Sequence, residues 1–193
     1  MTYRSHYQER ALRAEAARRL VCELADQYRR SGAKTPELRA RWSVAADAYR
    51  EALRQAYPPD FESMLDSLRA GSPALVDEGV AFLEADPWFA TSGYAKANLI
   101  RFIGRMTLTD GQREALKAIV IGRIIDGGAG HEFRRYCRLA VQLVDADFRN
   151  QIERLTEHPD PNARRRARWV MDALDGRGRM STSWRERSEE DDG

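Results

Sequence analysis

The stretch His158–Leu174, reading HPDPNARRRARWVMDAL, carries its own start, its own stop and one packing face. Asp160 is placed to cap a helix, Pro161 takes the first helical position, where a missing N–H costs nothing, and Gly176 follows the end. At about 100° per residue, Ala163, Ala167, Val170, Met171 and Leu174 form one apolar stripe, while Arg164, Arg165, Arg168 and Asp172 share the opposite face. One face is built to pack and the other to be read.

The same punctuation divides the whole chain into helices. A long amphipathic helix is predicted over 6–31, with Leu12, Ala16, Leu20, Leu24 and Tyr28 at i+4 spacing and Ala17 and Val21 beside them, ending at Ser31-Gly32. Thr35-Pro36 opens a second one, to about Tyr57, through Leu38, Trp42, Ala45, Tyr49, Leu53 and Ala56. The short connection makes these two an antiparallel hairpin over 6–57. After Pro58-Pro59, Asp60 is placed to cap a short helix within 60–70 carrying Phe61, Met64, Leu65 and Leu68.

From Ser72 onward shorter helices follow in pairs through residue 175. The first, opened by Ser72-Pro73, carries Val76, Val80, Phe82 and Leu83, and runs into the corner Asp86-Pro87-Trp88-Phe89, where Trp88-Phe89 is expected to plug the core. Ser92 or Gly93 starts the next, ending near Met106, and Thr109 caps a helix to about Asp126 that is apolar nearly all round and expected to be central. Gly127-Gly128-Ala129-Gly130 breaks the chain before a helix over about 132–144, after which Asp145 or Asp147 starts another with Phe148, Ile152 and Leu155. Residues 1–176 thus read as a single helical domain, and 177–193, which lack periodicity and are acidic over Glu189-Glu190-Asp191-Asp192, as a disordered tail.

With 42% hydrophobic and 32% charged residues, the chain belongs to the globular, charge-coated class. A formal net charge of +2 supplies no global basic field, so any electrostatic reading must be local. Lys34, Lys96 and Lys117 are the only lysines, an arginine preference that reads as the coding bias of a GC-rich genome. Arginine is nonetheless the better bidentate partner for carboxylate or phosphate.

Cys22 and Cys137 sit at apolar or semi-apolar helix positions without CxxC spacing and read as small buried hydrophobes in a reducing compartment. His6, His131 and His158 lack metal-ligand spacing, the glycine-rich break lacks the lysine of a phosphate loop, and no serine has a GxSxG setting. The missing motifs lead to the expectation of no metal, no cofactor and no enzymatic activity, and because no run approaches the length of an apolar span the protein is expected to be cytoplasmic.

Three helices superpose without gaps. Ala95-Leu99-Phe102-Ile103-Met106, Phe133-Cys137-Ala140-Val141-Val144 and Ala163-Ala167-Val170-Met171-Leu174 share the same offsets, and the first and last follow Asp-Pro corners. With the alternating helix lengths, this register resembles that of HEAT-like (armadillo-like) helical-repeat proteins over residues 72–175. The resemblance implies an all-α chain built as a short α-solenoid of about three HEAT-like helix pairs preceded by the long helical hairpin; an irregular helical bundle is the alternative.

In such solenoids the second helices line the concave face, so the resemblance implies an arginine-lined groove. The overlay puts Lys96, Arg134 and Arg164 at one level, which the resemblance implies as a structural ladder bonded to acids of neighbouring repeats. Arg135, Arg138, Arg165 and Arg168 point farther from the core and are the candidate partner-binding residues, with Trp169, either packing or a partly exposed anchor, among them. The expected function is a non-enzymatic interaction module for an acidic protein partner. The alternative is binding to nucleic-acid backbone, with Arg10, Arg13, Arg18 and Arg19 of the first helix contributing. Trp169, Arg168 and Asp172 also supply the residue types of the HEAT-like-repeat DNA glycosylases, but all three lie on one helix.

Overall fold

The protein is described here by a computed structural model, covering residues 3–30, 35–90, 92–127 and 133–177. Among the described residues all regular structure is helical: α1 (Tyr3–Arg30), α2 (Pro36–Ala56), α3 (Phe61–Arg69), a 3-10 turn (Pro73–Leu75), α4 (Val76–Ala85), α5 (Ser92–Ile103), α6 (Asp110–Asp126), α7 (Phe133–Leu143), α8 (Ala146–Leu155) and α9 (Pro161–Leu174). The Ser31-Gly32 stop, the centre of the glycine-rich break and the tail beyond Arg177 lie outside the described residues. No described helix is long and apolar enough to cross a membrane. The helices gather into two compact units, Met1–Thr107 and Leu108–Gly193.

Local signals set most of the boundaries. Thr35 accepts from the Leu38 amide and Thr109 forms a full capping box with Gln112, which starts α6 at Asp110. Asp145 rather than Asp147 caps α8 through the Phe148 amide. Asp160 does not cap by one bond only: its two oxygens take the Asn162 and Ala163 amides at 3.0 and 3.1 Å. These amides first, with Arg166 and His158 assisting, hold its carboxyl below the usual range. Asp60 departs from expectation. It adopts a left-handed conformation (φ 48°) and makes no side-chain cap, because the chain turning out of Pro58-Pro59 uses residue 60 as a corner.

In the first unit, α1 lies along α2, and its N-terminal half packs on α4. The buried row of α1 is Tyr7, Ala11, Ala14 and Leu24, which overturns the expected Leu12–Leu20 stripe: Leu12 is 67% exposed and Leu20 47%. Ala11 and Ala14 face the neighbouring helices, whereas Leu12 and Leu20 are left on the outer side. Cys22, expected to be buried, is exposed: it lies two residues before the buried Leu24, about 200° round the helix from it. Tyr7 meets Phe82 edge-on at 5.2 Å, and Phe82 joins Tyr57, Phe61 and Phe89 in one aromatic cluster. Gln8 donates to the Ala85 carbonyl at 3.1 Å, and Glu15 accepts from the Ala90 amide at 3.3 Å. At Gly79 α4 is closely approached: a Cβ there would stand 2.8 Å from Ile103 Cδ1 and 3.1 Å from Met64 Cε.

Tyr7 Oη donates to Glu78, whose carboxyl burial holds above the ordinary carboxylate range. A carboxyl raised by folding favours the protonated native state below the unfolded value and forfeits that contribution as pH rises through the folded one. Glu78→Gln should therefore raise the urea midpoint at pH 7 relative to the parent, with the difference closing as pH falls toward about 4. A difference that is constant with pH would contradict this.

In the second unit α6 touches α7, α8 and α9, as a central helix must. Leu116, Ile119, Val120 and Ile124 are buried; Ile121 and Ile125 are half-buried. In α7 the core side is Phe133, Tyr136, Cys137, Leu139, Ala140 and Leu143. Val141 and Val144, expected in its stripe, are exposed, because contact with both α6 and α9 turns Tyr136, Leu139 and Leu143 inward instead. Burial pushes the Cys137 thiol up to about 12, whereas Cys22 is open to solvent. A thiol-specific chromophoric reagent at pH 7.5 should therefore titrate one thiol in the native chain and two after denaturation. Two fast thiols in the native state would contradict the buried position of Cys137.

Candidate functional site

Lys96 lies in the first unit, and the other candidate residues, Arg134, Arg135, Arg138, Arg164, Arg165, Arg168 and Trp169, lie in the second. Lys96 is fully buried, and its Nζ bonds Asp86 Oδ1 at 2.7 Å. It thereby anchors the corner that precedes its own helix, where Asp86 has φ 43°. Trp88, expected as a core plug, is 72% exposed and presents its ring 5.8 Å from that ammonium; Phe89 alone enters the core. Pro87 and the left-handed Asp86 rotate the corner so that two adjacent aromatics cannot both point inward.

Arg164 does the corresponding thing in α9. Its Nη1 donates to the carbonyls of His158 and Pro159 at 2.7 and 2.8 Å, closing the corner before α9. Arg134 and Arg135, in the first turn of α7, are half-buried and each makes an interaction of its own.

Arg138, Arg165 and Arg168 are exposed. Among the described residues no acid pairs with any of the three. Elsewhere the surface often neutralises its arginines locally, as in Arg18 with Glu15 and Arg69 with Asp66. Trp169 is half-buried, which settles its place between core and solvent. One side packs on Phe133 of α7, with ring centroids 5.9 Å apart and tilted by 59°, and the Arg165 guanidinium lies 5.2 Å from its ring centroid. The order Arg165, Trp169, Phe133 thus joins α9 to α7. Pro161, Arg165, Arg168 and Asp172 form the exposed row of α9, and Arg138 and Val141 stand on that of α7.

Sequence reasoning overlooked Arg166, the buried member of the arginine run. Its Nε and Nη2 donate to the carbonyls of Ile124 and Ile125, both at 2.8 Å, and its guanidinium lies 3.7 Å from Asp160. It closes the C-terminal end of α6, where helix carbonyls lack intrahelical partners. Loss of hydration lowers its proton affinity, yet arginine stays charged. A signal was available: residue 166 is three after Ala163 and four before Val170, both on the buried row.

A second basic and aromatic place lies on the hairpin, where Ala25, Tyr28, Arg29, Arg39 and Trp42 line an open cleft of about 470 Å³. On α1, Arg18 is engaged by Glu15 and Arg10 lies over the Tyr7 ring, so two of the four arginines considered for nucleic acid are already occupied. Among the described residues no group of three or more His, Cys, Asp and Glu side chains is placed to hold a metal ion.

These features define a protein that is helical throughout its described regular structure, with exposed arginines beside a half-buried tryptophan on its second unit. Comparison with protein-family models, with curated proteins and with solved structures found no match.

Proposed function

We propose that this chain is a non-enzymatic interaction module of short HEAT-like helix pairs that binds an acidic protein segment through the exposed faces of α7 and α9. The pairing of α6 with α7 and of α8 with α9, together with α7 packed on α9, supports the repeat reading. The observation that carries the binding reading is Arg165 over the half-buried Trp169, with Arg168 on the same exposed row of α9 and Arg138 exposed on α7, all three without acidic partners among the described residues. Guanidinium groups bind carboxylates bidentately, and an indole already fixed by Phe133 and Arg165 offers apolar area at small entropic cost. Arg135 borders this surface from the first turn of α7.

A fluorescein-labelled acidic peptide containing ten glutamates tests the proposal by polarisation. The double variant Arg165→Glu/Arg168→Glu should weaken binding by about tenfold, since each reversed charge at a solvated surface alters binding by roughly 0.5–1 kcal/mol. Unchanged affinity would sink the assignment. A single-stranded DNA probe of equal charge, bound more tightly than the peptide and with a steep salt dependence, would instead favour the nucleic-acid reading.

A further inference from the structure

Trp42 stands on the row of α2 that carries the buried Ala45, three residues on, yet 41% of it is exposed. The space beside it is the cleft of about 470 Å³ that it lines with Ala25, Tyr28 and Arg29 of α1 and Arg39 of α2. Ala25 is too small to cover an indole, so the hairpin leaves the ring open there. We infer that this cleft binds a planar aromatic molecule carrying an anionic group such as a carboxylate, sulfonate or phosphate. Every residue involved lies in the first unit, so the inference is independent of the reading of α7 and α9.

Size is the first support. The volume falls within the roughly 300–1,000 Å³ of small-molecule sites. Tyr28 and Arg39 also line a second cleft of about 550 Å³ with Pro36, Ala40 and Ser43, so the two depressions adjoin at those side chains. A ligand of two parts, a ring beside Trp42 and a polar group toward Ser43, fits across them.

The aromatic walls are the second. An indole and a phenol ring carried on two helices offer flat apolar area at small entropic cost, and stacking on them accepts many ring systems.

Charge is the third, and it fixes the sign. Arg29 is engaged by Asp26, whereas Arg39 is exposed and no acid pairs with it among the described residues. Arg39 precedes Trp42 by three residues, so the guanidinium and the ring are neighbours on one helix. A free guanidinium fork beside a stacking ring holds an oxyanion attached to an aromatic system. Another depression of the hairpin has Glu23 and Asp26 in its lining, which disfavours an anion there.

The probe for the test is 8-anilinonaphthalene-1-sulfonate, an aromatic system with one sulfonate whose emission rises as it leaves water, titrated into the full native chain at about 50 mM salt. Saturable binding is expected with a dissociation constant on the order of tens of micromolar, ordinary for a ligand of about twenty heavy atoms. Arg39→Glu should weaken it about tenfold and Trp42→Ala about fivefold, with helicity of each variant checked by circular dichroism. The uncharged analogue N-phenyl-1-naphthylamine should bind about tenfold more weakly than the sulfonate. Arg165→Glu/Arg168→Glu should leave the affinity for the probe unchanged. An Arg39→Glu affinity within about twofold of the parent, equal affinity for the uncharged analogue, or emission that never saturates overturns the inference. None of these outcomes bears on deca-glutamate binding, which tests the α7 and α9 surface separately.

Discussion

Arg166→Met is expected to lower the stability of the second unit by about 3 kcal/mol, although the substitution replaces a charged residue with an apolar one of similar length. The guanidinium is almost fully buried and divides its donors between the Ile124 and Ile125 carbonyls, each at 2.8 Å. A charge-assisted hydrogen bond contributes roughly 1.5–3 kcal/mol, and a buried carbonyl left without a donor adds its own desolvation penalty. Relief of the buried charge offsets part of the loss, because its hydration is recovered on unfolding and its ion pair with Asp160 is long, at 3.7 Å. Arg166→Lys should fall about midway, since one ammonium cannot fork to two carbonyls. Arg166→Ala should be the most damaging, losing the packed stem as well. Urea unfolding followed by helicity measures this, analysed with separate transitions for the two units if the curve is not single. A methionine variant within about 0.5 kcal/mol of the parent would refute the role assigned to Arg166.

Arg166 also shows where the sequence stops being legible. Caps are local, and Thr35, Thr109, Asp145 and Asp160 could be read because a helix start needs only the next three residues. Faces are not local. In α1 both the Leu12 row and the Tyr7 row carry apolar residues, and it is contact with α2 and α4, not the row itself, that selects Tyr7, Ala11 and Ala14 for burial. In α7 the presence of helices on two sides draws in Tyr136 and Leu139 and turns Val141 out. Charge misleads in the same way: Lys96 and Arg166 both lie on buried rows, one at i−3 from Leu99 and the other at i+3 from Ala163. Each is long enough to carry its charge through the core to an oxygen at a helix end or corner. For the surface itself, the sequence could place Arg165 and Arg168 opposite the apolar stripe, but only packing of α7 on α9 brings Phe133 against Trp169.

The corner held by Lys96 gives the second large effect. Asp86→Ala should destabilise the first unit by about 4 kcal/mol, because removing one partner of a buried pair strands the other, here an ammonium with almost no exposed side-chain surface. Part of that loss is conformational: Asp86 stands at φ 43°, where a Cβ is strained and aspartate or asparagine is better tolerated than alanine. Asp86→Gly relieves the strain but not the stranded charge, so it should recover only about 1 kcal/mol of the loss. Asp86→Asn keeps both an acceptor and the backbone preference and should cost less than half as much as alanine. Lys96→Met removes the charge that must be buried and preserves the unbranched stem, so it should be close to neutral, within about 1 kcal/mol. The informative comparison is Asp86→Ala in the Lys96→Met background, where the stranded-charge part should vanish and the cost should fall to about half or less, left-handed strain contributing roughly 1–2 kcal/mol of what remains. If Asp86→Ala were equally harmful with methionine at 96, the ion pair would contribute nothing, and the corner would be held by its backbone geometry and by Phe89 beneath it.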